Sequence, residues 1–169
     1  MKVTGFMIRE AIRQQELKRK TASDQFGEAT WKFEGEDKLS PDDAMSMFVG
    51  ADRAMAMLGV AQARYNLAIE GTVDGKKMTL SEMVKLVGGA GRVEKMWRGV
   101  AADTGRDRYS GREHQRSKDS EYAVRAISQK DATKRASDAM RFAGQLRAAI
   151  AQLNTKEIEI DGLDPKLFE

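Results

Sequence analysis

From Ser40 to Ile69 apolar side chains recur at alternating steps of three and four residues, and no other feature restricts the fold as much. Phe48, Ala51, Met55, Leu58, Tyr65 and Ile69, with Gln62 among them, form one such line. That spacing keeps side chains on one face of an α-helix and makes a coiled-coil-like seam. Met45, Val49, Ala56, Val60, Ala63 and Leu67 form a second line, which reads as a neighbouring face. A helix apolar on two faces belongs at the centre of a bundle. Its start is well marked: Ser40 caps free amides, Pro41 suits the first helical position, and Asp42 and Asp43 favour the positive end of the dipole. Gly71 is the expected stop.

Three further helices are predicted. Ile8, Ala11, Ile12 and Leu17 give a thin stripe over about residues 4–23, surrounded by cations and glutamines, which suits a peripheral helix. Thr79 and Glu82 form a capping box opening a third helix, with Met83, Leu86, Ala90, Val93, Trp97 and Val100 as its seam and Gly105 as its end. Ser128 and Asp131 open a fourth, with Ala132, Ala136, Ala139, Ala143, Leu146, Ile150 and Leu153 inward. Its run of alanines allows close approach to another helix. Between these lie short extended pieces. Thr30–Gly35 alternates with period two and places Trp31 and Phe33 on one side. Asp74-Gly75 is a tight hairpin turn, Tyr122, Val124 and Ala126 alternate, and Ile158 with Ile160 marks an extended stretch in a polar tail over 154–169. Two prolines in 169 residues suit long helices better than a β-sandwich. The expected fold is mostly α: an antiparallel helical bundle with coiled-coil-like hairpins, forming one domain over 1–169. An extended polar arm over 105–127 and short β segments complete it.

The residue inventory removes many chemistries. There is no cysteine, which excludes disulfides, thiol nucleophiles and thiolate metal sites. His114 is the single histidine and sits among charged residues, as a surface histidine does. Gly88, Gly89 and Gly91 invite a phosphate-loop reading, but the Lys-[Ser/Thr] ending and the preceding strand are missing. They read instead as helix-interior glycines that let the fourth helix approach. Asp42-Asp43 and Glu36-Asp37 are explained by helix-start electrostatics without a metal. Met45, Met47, Met55 and Met57 read as bundle core. No catalytic, cofactor-binding or metal-binding residue is assigned, and the chain is not read as an enzyme.

Charge is unevenly distributed. Residues 1–84 carry 12 Lys/Arg against 13 Asp/Glu, residues 85–153 carry 15 against 8, and the tail carries 2 against 5. The polar arm holds Arg106, Arg108, Arg112, Arg116 and Lys118 around Tyr109, with Asp107, Glu113, Asp119 and Glu121 offsetting them. Mixed charge with an aromatic suits contact with another subunit, so these six residues are the expected partner contacts. No uninterrupted apolar run reaches the ~18 residues of a membrane span, and the first ten residues lack a signal's apolar core. A soluble chain, cytoplasmic or within an assembly such as a virion, is expected.

Several of these motifs occur together in one bacterial family. Ala63-Arg64-Tyr65-Asn66, Asp74-Gly75 followed by Thr79-Leu80, Arg108-Tyr109-Ser110 with Glu113, and Leu146, Ile150 and Asn154 give the chain a pattern that resembles the septicolysin-like helical proteins. The segment after Glu113 departs from that pattern, being polar where an apolar strand belongs. The resemblance implies an antiparallel helical bundle with an extended crossover and self-association, and it brings no catalytic residues. The expected function is a non-enzymatic, self-associating structural or protein-interaction component, a building block of a larger assembly such as a phage particle. The alternative is a nucleic-acid-binding regulator using the basic 85–153 region.

Overall fold

The computed structural model describes residues 1–31, 33–103 and 126–168. The fold is mostly α, with helical-bundle character. In chain order it contains β1 (Lys2–Val3), α1 (Gly5–Ala29), α2 (Pro41–Ala68), β2 (Glu70–Val73), β3 (Lys76–Thr79), α3 (Leu80–Ala102), α4 (Gln129–Leu153) and β4 (Ile158–Glu159), with a 3-10 turn at Pro165–Phe168. The chain divides into two compact units. One is Met1–Gly71 with Thr79–Ser81 and Ala151–Glu169; the other is Thr72–Met78 with Glu82–Ile150.

In the first unit α1 and α2 lie antiparallel. Gly5 at the start of α1 meets Tyr65 near the end of α2, and Arg19 further along α1 reaches back to Asp52 at 3.0 Å. Thr4 caps α1 by accepting the Met7 amide at 3.2 Å. Ser40 caps α2 by accepting the Asp43 amide at 3.1 Å while its hydroxyl donates to the Asp43 carboxylate at 2.6 Å. The expected α2 seam is inward: Ala51, Leu58, Tyr65 and Ile69 are buried, with Phe48, Met55 and Gln62 half-buried. The antiparallel ribbon β1–β4 pairs Lys2 with Glu159 and Val3 with Ile158, so Ile158 and Ile160 do mark an extended stretch.

Several expectations need correction. α1 continues to Ala29, where the Thr30 hydroxyl donates to the Gly27 carbonyl at 2.8 Å and satisfies an end of the helix. Its buried line is Ile8, Ala11, Gln15 and Ala22; Leu17 points outward. Trp31 and Phe33 belong to no strand among the described residues, and each is 83% exposed. Gly71 does not stop α2. Ile69 turns extended, with φ −97° and ψ 129°, and the chain enters β2 directly.

The most consequential correction concerns the second α2 line. Met45, Val49, Ala56, Val60, Ala63 and Leu67 are all exposed. At 100° per residue this line lies about 140° from the first, toward the opposite face of the helix and not beside it. Packing α1 on one side therefore leaves the other uncovered. Met45, Met47 and Met57 share that exposure, so most of the methionine group is surface and not core.

In the second unit α3 and α4 run antiparallel. Gln129 at the start of α4 donates to the Ala101 carbonyl near the end of α3 at 3.3 Å, and Arg147 near the end of α4 reaches Glu94 at 3.6 Å. Ser128 caps α4 as expected, accepting the Asp131 amide at 3.0 Å. The α4 seam is as predicted, each member buried or half-buried. The α3 seam is rotated: Val87, Glu94 and Ala101 face inward with Met83, Ala90 and Trp97, while Leu86, Val93 and Val100 are exposed. Glu94 takes an inward place because Arg98 and Arg147 both pair with it. The hairpin turn is as predicted, with Asp74 at φ 51° and Gly75 at φ 74°. Ala126 lies in a bend outside any strand.

Candidate functional site

The six residues expected to make partner contacts, Arg106, Arg108, Tyr109, Arg112, Arg116 and Lys118, lie outside the described residues, as does His114. The rest of the chain offers three features: a buried polar knot, a basic helix pair and an exposed apolar face.

The knot lies in the first unit where β1, α1, α2 and the end of α4 meet. Tyr65 is fully buried, and its hydroxyl lies 2.9 Å from the Leu153 carbonyl and 2.7 Å from the Lys156 carbonyl. The hydroxyl has one hydrogen to donate between them. Buried Asn154 accepts the Phe6 amide through its carbonyl at 3.3 Å. Burial pushes the Tyr65 hydroxyl above its ordinary value, opposed by a hydrogen bond from the Gly5 backbone and by the charge of Arg9. Gly5 is required there: a Cβ would overlap the Asn154 side-chain oxygen and come within 2.8 Å of the Tyr65 ring. With carbonyls and a glycine around it, this phenol fastens helix ends.

The basic helix pair is partly neutralised from within. Arg98 and Arg147 pair with Glu94, Arg141 pairs with Asp138 at 3.1 Å, and Arg135 stacks over Trp97 at 4.8 Å from the ring centre. Gly88, Gly89 and Gly91 sit inside an unbroken α3, where their amides serve the helix, so no anion cradle forms. They are not packing glycines either. Nothing approaches a Cβ at Gly89 within 4 Å, and at Gly91 the nearest atom is the Arg147 guanidinium at 3.7 Å. No group of three or more potential metal ligands occurs among the described residues. Asp43 is engaged by the Ser40 cap, and Glu36 accepts the Phe33 amide and pairs with Lys38, which together hold its carboxyl below the usual range.

The apolar face is the outer side of α2, running from Met45 to Leu67. Val60 is 54% and Leu67 63% exposed. Beside it, Met57, Val60, Ala61 and Arg64 line a shallow groove closed by the turn Ile160–Leu163, where Arg64 donates to the Asp161 carbonyl at 3.5 Å. α2 is also long and apolar enough to cross a membrane by length and composition, with 22% of that window buried. Only part of this site could be read from the sequence: both lines were visible, but treating them as neighbouring hid that one partner helix can cover only one of them.

The comparisons place the fold and no activity. No known family matches the chain, and no curated protein is similar to it. Its fold is similar to that of a functionally unknown conserved protein from Corynebacterium diphtheriae, with a TM-score of 0.66 at 15% identity over 94% of this chain and 100% of that one.

Proposed function

We propose that the protein is a non-enzymatic, self-associating structural or protein-interaction component whose contacts are made by apolar helix faces. The observation that carries this reading is the uncovered face of α2. Leaving Met45, Val49, Val60 and Leu67 in water forgoes the hydrophobic stabilisation of about 25 cal/mol for each Å² that a partner would cover. Contiguous exposed apolar surface of this kind marks docking sites. The outward Leu86, Val93, Met96 and Val100 of α3 are a second, shorter example.

Light scattering over a micromolar concentration series tests the reading. The expected outcome is a mass above the 18.8 kDa monomer that rises with concentration. A monomer at every concentration, with no protein captured on it, overturns it. Association through apolar faces persists as salt rises, whereas phosphate binding by Lys and Arg falls steeply. Repeating the series at two salt concentrations, with and without duplex DNA, therefore separates this function from nucleic-acid binding.

A further inference from the structure

We infer that the outer face of α2 docks in parallel, in register, on the same face of a second copy, about a two-fold axis running along the helices. This rests on the self-association proposed above and names its surface, partner and orientation.

Asp52 and Arg53, adjacent in sequence, carry opposite charges beside this face. Val49 and Leu67 stand in one line on the helix; measured from that line, Asp52 lies about 60° to one side and Arg53 about 40° to the other. The two opposite charges thus flank the middle of the apolar face at one level. When two such faces meet in parallel, each edge meets the opposite edge of the other copy. Arg53 then lies across from Asp52 of the second copy, and the pair occurs twice. An antiparallel meeting sets like edges together, and with the two faces fully overlapped Arg53 lies level with Gly59 and finds no acid across from it. Asp52 already accepts Arg19 through one oxygen at 3.0 Å, which leaves the other for the incoming guanidinium. Arg53 makes no ion pair among the described residues. Ion pairs that flank an apolar seam set partner choice and orientation.

Shape agrees with charge. Ala56 and Ala63 carry small side chains along the face, and at Gly59 nothing lies within 4 Å of a Cβ position. The helices can therefore approach closely at the centre, with Val60 and Leu67 closing the contact beyond. α1 packs on the far side of α2 and does not obstruct. From Met45 to Leu67 the face is ~33 Å long, and a strip of helical width covers about 400 Å². That is half of the ~800 Å² per partner of a standard interface, the size range of weak and transient contacts, so the dimer is a reversible one. The cost of the parallel sense is at the helix starts, where the two Asp42 carboxylates come to the same level, each compensated by its own helix dipole.

The chain has no cysteine, so single cysteines report orientation directly. Under mild oxidation Val49→Cys is expected to link to itself, and a mixture of Val49→Cys with Ala63→Cys to give no more mixed product than parallel pairing allows. In sedimentation experiments Val60→Glu is expected to weaken the dimer at least about tenfold by burying an unpaired charge. Asp52→Arg and Arg53→Asp are each expected to be monomeric alone and to pair when mixed, because the mixture restores both ion pairs. Helical content by circular dichroism should be unchanged in all of them, since every substituted side chain is exposed. Three results overturn the inference. In one, the dimer survives Val60→Glu, which leaves self-association standing on another surface. In another, cross-links form only between a Val49→Cys chain and an Ala63→Cys chain, which reverses the orientation. In the third, the wild-type chain floats with lipid vesicles in place of dimerising. A wild-type monomer at every concentration removes the proposed function as well.

Discussion

A single methyl group separates two kinds of glycine in this chain. At Gly5 a Cβ has nowhere to go, because the Asn154 side chain and the Tyr65 ring already fill the space. Gly5→Ala should therefore destabilise by about 3 kcal/mol, the upper end of overpacking. At Gly89 nothing lies within 4 Å, and Gly89→Ala should instead stabilise by about 1 kcal/mol through helix propensity. Opposite shifts of the urea midpoint check both. The sequence showed a glycine cluster and suggested close packing there; it held no sign of the isolated Gly5, whose neighbours come from residues far along the chain. Tyr65 offers a pH test. Its pKa is raised in the folded protein, above the ordinary value of 10.0, chiefly by burial. The unfolded chain loses this proton first as pH rises, so folding stability is full below about pH 10 and declines above it. Tyr65→Phe should cost about 1–2 kcal/mol at pH 7, because it leaves buried carbonyls short of a donor, and should flatten the alkaline decline. Denaturant titrations at pH 7 and above pH 10 measure both effects.

Helix starts were legible residue by residue. Ser40 and Ser128 each accept the amide three residues on and donate to the aspartate there, the local arrangement their motifs announce. Ser40→Ala and Ser128→Ala should each cost about 1 kcal/mol, read from thermal melts. Buried faces were legible only where one face was clearly the most apolar. α4 met that condition, its inward line of alanines being bordered by Lys130, Lys134, Arg135 and Arg141. α3 did not: Leu86 and Val93 are more apolar than Val87 and Glu94 taken together, yet the inward place went to the carboxylate held by two arginines. An interior ion-pair network of this kind depends on α4 and has no signature within α3 itself. At Trp31 and Phe33 the alternation marked no strand among the described residues; the chain turns there, the Glu36 amide donating to the Phe33 carbonyl at 3.1 Å.

At the scale of the molecule, the mostly helical class followed from long periodic stretches and sparse proline, and the structure agrees. What periodicity could not supply was how the far ends of the sequence meet. Met1 and Ile160 are joined by two bonds, the Ile160 amide donating to the Met1 carbonyl at 3.0 Å and the Met1 amine to the Ile160 carbonyl at 3.3 Å. Tyr65 adds a second long tie to Leu153 and Lys156. These bonds set the order of events in folding. Closing a chain segment becomes costlier with its length, and a two-residue ribbon returns little until its strands are already held near one another. The α1–α2 hairpin, made from neighbouring sequence, can form on its own schedule and present Gly5 and Tyr65 together. The ribbon and the C-terminal segment must then arrive on that prepared surface, which makes them the last parts to join and, by microscopic reversibility, the first to leave.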